Sequence, residues 1–174
     1  MTARNILTFM AIVAIGLRIL SPGVAVAQTP TLLEKYEYWT AYTYKENKGK
    51  VCYIVSQPVD LEPKNVRRDP VYFMVTHRPG EKMRNEVSTI IGYPFKKGSR
   101  VTVTIDGATT MQLFTSGDGA WASDKTEDNK LVGAMKRGLG MVVRGTSSRG
   151  TLTTDHYSLN GVSAAMNRID RECK

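Results

Sequence analysis

The sequence predicts a mainly β fold: a β-sandwich or open barrel of eight or nine short strands, with two helices, the last docked on the sheet. Three observations carry this. Short runs rich in β-branched and aromatic residues recur along the chain, bounded by Gly, Pro and Asn. Two segments near the C-terminus switch to helical spacing. The two cysteines, Cys52 and Cys173, lie 121 positions apart and lack C-x-x-C spacing, so they suit one structural bridge in an exported protein.

Residues 1–27 read as a secretory signal peptide. Arg4 opens it, Ile6–Leu17 is an apolar run, and Ala25-Val26-Ala27 fits a cleavage site. The apolar run is shorter than the roughly 20 residues a spanning helix needs. The expected mature chain is one β-rich domain over residues 28–174, long enough to bury its own core.

Gln28–Leu33 reads as a flexible lead. Tyr36–Tyr44 alternates aromatics and reads as a strand, and Val51–Ser56 as the next, carrying Cys52. Pro58–Pro70 is a long connection of a length that is often functional. Val71–His77 and Asn85–Ile91 flank a turn at Arg78-Pro79-Gly80. Gly92–Ser99 leads to Val101–Ile105, whose Val101, Val103 and Ile105 share one face.

Asp106-Gly107 marks a hairpin. A two-residue turn would put Met111 and Leu113 on the threonine face. Because a one-residue slip exchanges the faces, a three-residue loop or bulge is expected, pairing Val103 with Met111 and Val101 with Leu113. A short strand surrounds Trp121. Asp124–Arg137 reads as a helix capped by Asp124, with Glu127 completing a capping box. Leu139–Arg144 and Thr151–Leu159 form a hairpin around Gly145–Gly150. Asn160–Glu172 is the last helix, with Asn160 as cap. Val162, Ala165, Met166, Ile169 and Cys173 form one stripe, so Cys173 faces the sheet and a strand cysteine such as Cys52 is its expected partner.

Catalytic signals are weak. The two histidines and bonded cysteines are too few for a zinc site. Asp155 and His156 are adjacent on a strand and point apart. No G-x-S-x-G elbow occurs. Gly145–Gly150 has the glycine spacing of a phosphate loop, but Thr151 stands where its lysine belongs. Its amides and Arg149 are the remaining anion-binding groups there. No cofactor, metal or nucleic-acid partner is expected, nor enzymatic activity.

Charge is the sharper signal. Without Arg4 and Arg18, 22 Lys and Arg face 16 Asp and Glu, a net of +6. All of that excess lies in residues 64–100, which hold Lys64, Arg67, Arg68, Arg78, Lys82, Arg84, Lys96, Lys97 and Arg100 against Asp69, Glu81 and Glu86. If these loops meet at one end of the sheet, they form a face for an anionic envelope component or partner protein.

From Val51 onward the chain resembles the bacterial invasion-associated locus B family. The resemblance rests on VCYIVSQP at 51–58, the HRPGEKMRNEVS core within Tyr72–Ile91, VTVTIDG at 101–107, LVGAMKRG at 131–138 and SLNGVSAAM at 158–166. Related members carry a cysteine pair where this chain reads Thr-Ser-Gly-Asp-Gly-Ala at 115–120. The resemblance implies an exported protein of a Gram-negative envelope, periplasmic, outer-membrane-associated or secreted, with a role in host-cell invasion or envelope integrity. It implies no catalytic residues. Three roles are open: first an envelope-binding module, then a surface-exposed host-interaction factor, and last an unrecognised enzyme, which a deep pocket holding His77 or His156 with a carboxylate would support.

Overall fold

The computed structural model describes residues 29–174. The signal-peptide reading of residues 1–27 lies outside them. Among the described residues, eleven antiparallel strands form one sheet in the order β1-β2-β3-β5-β6-β9-β8-β7-β10-β11-β4. The strands are β1 (Thr31–Tyr36), β2 (Trp39–Glu46), β3 (Gly49–Ser56), β4 (Asp60–Glu62), β5 (Tyr72–Arg78), β6 (Met83–Ile90), β7 (Arg100–Ile105), β8 (Thr109–Ser116), β9 (Gly119–Trp121), β10 (Gly140–Thr146) and β11 (Leu152–Ser158).

The edges β1 and β4 do not pair, so the sheet stays open. It curls until its two halves meet. Trp39 Nε1–H donates to the Ser158 carbonyl across that junction at 3.0 Å. The inner face holds Trp39, Ile54, Phe73, Leu113 and Val143, all fully buried. Trp39 and Tyr157 each meet Phe73 edge-on, joining the core across the two halves.

Helix α1 (Lys125–Met135) begins where expected. The Asp124 carboxylate accepts the N–H groups of Thr126 and Glu127 at 2.7 and 3.0 Å, satisfying two otherwise unpaired donors. Helix α2 (Val162–Glu172) lays Val162, Ala165, Met166 and Ile169 against β1–β3. Cys173 continues that stripe and is bonded to Cys52 on β3, with Cα atoms 6.0 Å apart.

The mainly β class with two helices stands, and two strands exceed the expected nine. Thr31–Tyr36 is an edge strand where a flexible lead was expected. Its TLLEKY lacks alternation, and a bulge between Leu32 and Glu34 shifts its register. Tyr36–Tyr44 is not one strand, because the chain reverses at Glu37-Tyr38. The other addition, β4, lies inside the long proline-bounded connection and pairs with β11.

The Asp106–Ala108 loop has three residues. Val103 pairs with Met111 and Val101 with Leu113, in the register that buries all four. The cap of α2 is corrected: Gly161, not Asn160, is its N-cap, at φ 94°. A Cβ at Gly161 would stand 2.1 Å from the Tyr36 carbonyl, so the contact between this cap and the β1–β2 turn excludes a side chain. Asn160 instead uses its carbonyl, accepting the Tyr38 N–H at 3.4 Å.

Candidate functional site

The topology decides whether the basic segments meet. β5 has seven residues and spans about 20 Å. The Pro79–Lys82 turn joins its far end to β6, and β6 carries the chain back to Gly92. Arg67 and Arg68 precede β5 and therefore lie at the Gly92 end, where Asp69 N–H donates to the Gly92 carbonyl at 3.0 Å. A Cβ at Gly92 would lie 2.2 Å from the Asp69 carbonyl, so the connection closes only over glycine. The basic segments therefore do not all meet at one end. Arg78, Lys82 and Arg84 occupy one end. Lys64, Arg67, Arg68, Lys96, Lys97 and Arg100 occupy the other.

The first end surrounds the disulfide, and most of its cations are paired. Arg78 bonds Glu86. Arg84 reaches Asp170 at 3.3 Å and the Cys173 carbonyl at 2.9 Å. Lys48 pairs with Glu81, and Lys50 with Glu172. Arg78 and Arg84 therefore tie elements together and are corrected from binding to structural roles. Lys82 stays exposed, with its backbone at φ 55° closing the turn.

His77 lies at this end, fully buried beside its strand partner Cys52. Its Nδ1 accepts the Asn85 N–H at 3.1 Å, which leaves Nε2–H to donate to Asp170 at 3.0 Å. Burial lowers its pKa, opposed by the Asp170 carboxylate. The ring is sealed from solvent, so this His–Asp pair holds structure rather than meeting a substrate. No group of three or more His, Cys, Asp or Glu able to hold a metal occurs among the described residues.

The second end behaves differently. Arg68 is the exception there: its side chain is 5% exposed and makes a two-pronged bond to the fully buried Asp155. It also lies over the Tyr93 ring at 5.8 Å. Burial raises the Asp155 pKa while Arg68 opposes it. Arg68 is removed from the binding set; it pins the Gln57–Val71 connection to β11. A recess of about 640 Å³ lies under that connection. Lys64 is paired with Asp60.

Arg67, Lys96, Lys97 and Arg100 are exposed and form no ion pair among the described residues. Arg149 joins them. Phe95 bridges Ser147, Lys96 N–H donates to the Thr146 carbonyl at 2.9 Å, and Ser148 N–H donates to the Pro94 carbonyl at 2.8 Å. These contacts seat the 145–150 loop beside Lys96-Lys97. Five exposed cations thus share an end with the exposed carboxylates Asp69 and Asp118. Sequence position alone separates Arg149 from Lys97 by 52 residues; only strand order brings them together.

A family model described as "Invasion associated locus B (IalB) protein" matches residues 39–170. The fold is similar to the crystal structure of invasion associated protein b from Bartonella henselae, with a TM-score of 0.56 at 20% identity, over 82% of this chain and 98% of that one. No curated protein matches the chain. Among the described residues no helix is long and apolar enough to cross a membrane.

Proposed function

The chain belongs to the invasion associated locus B family, and from that premise we propose that it is a non-enzymatic envelope protein that works by binding. In this reading it is exported to the periplasm or the outer membrane. Its working surface is the Gly92 end of the sheet, and its partner is an anionic envelope component.

The observation that carries the reading is the contrast in pairing. Among the described residues, Arg67, Lys96, Lys97, Arg100 and Arg149 are exposed without ion-pair partners, whereas Arg78, Arg84, Lys48 and Lys50 are each matched to a carboxylate. Unpaired cations on short, tied loops keep their field for a ligand. That attraction is screened over about 10 Å at 0.1 M salt and about 3 Å at 1 M.

The test is binding of residues 28–174 to phosphatidylglycerol vesicles and to lipopolysaccharide across a salt series. Binding should be strong at low salt, weaken as salt rises, and fall in a Lys96→Glu/Lys97→Glu/Arg149→Glu variant that melts normally. Absence of binding at low salt, or equal binding by the variant, overturns the proposal.

A further inference from the structure

The outer face of the sheet, turned away from the core and reaching the basic end only at Arg100, is divided in composition. Strand pairing aligns one row of side chains along the curved outer surface of eight strands. Lys35 opposes Thr40, Thr40 opposes Val55, Val55 opposes Met74, and Met74 opposes Ser88. Ser88 then opposes Trp121, Trp121 opposes Phe114, and Phe114 opposes Arg100. Seven interstrand steps make the row about 34 Å long. Its interior is uncharged and largely apolar, and a cation stands at each end.

The next row holds the stacked pair Tyr42 and Tyr53, ring centroids 5.4 Å apart, with Tyr44 edge-on to Tyr53. Recesses flank that stack. The first, about 510 Å³, is walled by Tyr38, Tyr42 and Tyr72 over Thr40 and Val55. The second, about 410 Å³, is walled by Tyr44 and Tyr53 over Met74, Thr76 and Ser88. Beyond Ser88 rises the Phe114–Trp121 pair, with Phe114 43% exposed. The rest of the outer surface of β7 and β8, beyond Arg100 and Phe114, instead carries Thr102, Thr104, Thr110 and Gln112, which bond in pairs. Tyrosine, tryptophan, phenylalanine and methionine together, with few carboxylates, are the composition of a protein-contacting core. A continuous apolar surface of this kind marks a contact site.

We propose that this face docks a polypeptide segment of a partner protein, one with apolar side chains in its middle and carboxylates at both ends. The row's charges set the second requirement: Lys35 and Arg100 lie at its two limits with no acid between them. About ten residues in extended form span it. A second copy of this chain does not fit, because overlaying two such rows in either direction sets cation on cation. A flat lipid surface would rest on the aromatic ridges and leave the recesses unfilled. Arg100 alone is shared with the basic end; Arg67, Lys96, Lys97 and Arg149 take no part, so Lys96→Glu/Lys97→Glu separates the two surfaces.

The test selects a random-peptide display library on residues 28–174. Trp39 is fully buried, so acrylamide quenching reports Trp121 on this face. Enriched peptides should carry Asp or Glu on both sides of an apolar centre and should shield Trp121. Their affinity should drop about tenfold in Met74→Glu and in the exposed-site variant Phe114→Ser, an effect of the size expected for one apolar anchor. Lys35→Glu/Arg100→Glu should weaken them too, and Lys96→Glu/Lys97→Glu should not. Phe114→Ser keeps the test decisive if Met74→Glu fails to fold. Four results overturn the proposal: no enrichment, peptides without acidic flanks, equal binding by Phe114→Ser, or shielding of Trp121 by phosphatidylcholine vesicles or by self-association in sedimentation.

Discussion

The two ends of the sheet carry similar basic sequence and opposite electrostatics. At the disulfide end, Arg78, Arg84, Lys48 and Lys50 are matched to Glu86, Asp170, Glu81 and Glu172. At the Gly92 end, Arg67, Lys96, Lys97, Arg100 and Arg149 are exposed without such partners among the described residues. Charge density along a chain thus says little about a binding surface until each cation's partner is known. One end spends its charge internally, holding α2 and the chain terminus to β3, β5 and β6. The other leaves it facing solvent.

Removing the disulfide should cost the protein most. Bridging positions 121 apart constrains the unfolded chain by about 4–5 kcal/mol in the loop-entropy model. Cys52→Ala/Cys173→Ala should therefore lower the melting temperature by about 10–20 °C. Reductant should do the same to the unaltered protein in calorimetry. Equal melting with and without reductant would mean that ion pairs and the α2 stripe hold that end unaided.

The adjacent arginines sharpen the comparison next. Arg68→Ala leaves Asp155 buried without its partner and should cost about 3–5 kcal/mol in urea unfolding. Arg67→Ala, on an exposed side chain, should stay within about 0.5 kcal/mol. Similar losses in both would place Arg68 outside the core. Arg68→Met/Asp155→Leu should recover most of the loss, because an apolar pair can replace a buried ionic one.

Charge exchange between the ends is the third comparison. Arg84→Glu should cost about 1 kcal/mol of stability through Asp170 and leave vesicle binding unchanged. Lys96→Glu/Lys97→Glu should do the reverse. If both weaken binding equally, net charge and not its placement governs the contact.

These neighbours show where the sequence was legible. The Asp106–Ala108 register followed from period two, since only one register buries Met111 and Leu113 with Val101 and Val103. Asp124 and the α2 stripe ending in Cys173 were readable because capping and helical spacing are local. The fate of Arg68 was not, because Asp155 lies 87 residues away and only the sheet order brings them together. Arg149 had the same obstacle: nothing local ties it to Lys96-Lys97. The outer row from Lys35 to Arg100 was hidden in the same way, since each strand contributes one of its residues. Strand β1 escaped for a different reason, as its bulge erases the alternation that would reveal it.

The smallest expected effect, pH between 7 and 5, is followed at the disulfide end, where a buried histidine packs against the bridge. Burial holds the folded His77 pKa below the ordinary value of about 6.5, with Asp170 opposing and Arg84 reinforcing the shift. Between that lowered value and about 6.5 the unfolded chain binds the proton that the folded chain refuses. Stability should then fall as pH falls through this window. Asp128, whose Oδ1 accepts the Val87 N–H, works in the opposite sense. Burial, with Glu86 and Asp124 nearby, raises its pKa from 3.8 to about 6, so the folded chain takes up its proton first and gains stability as pH falls below about 6. The two partly cancel in the unaltered protein. Asp128→Asn should expose the histidine term and steepen the loss in calorimetry from pH 7 to pH 5, and His77→Gln in that background should flatten it. A slope that survives both substitutions would assign the titration to groups other than His77 and Asp128.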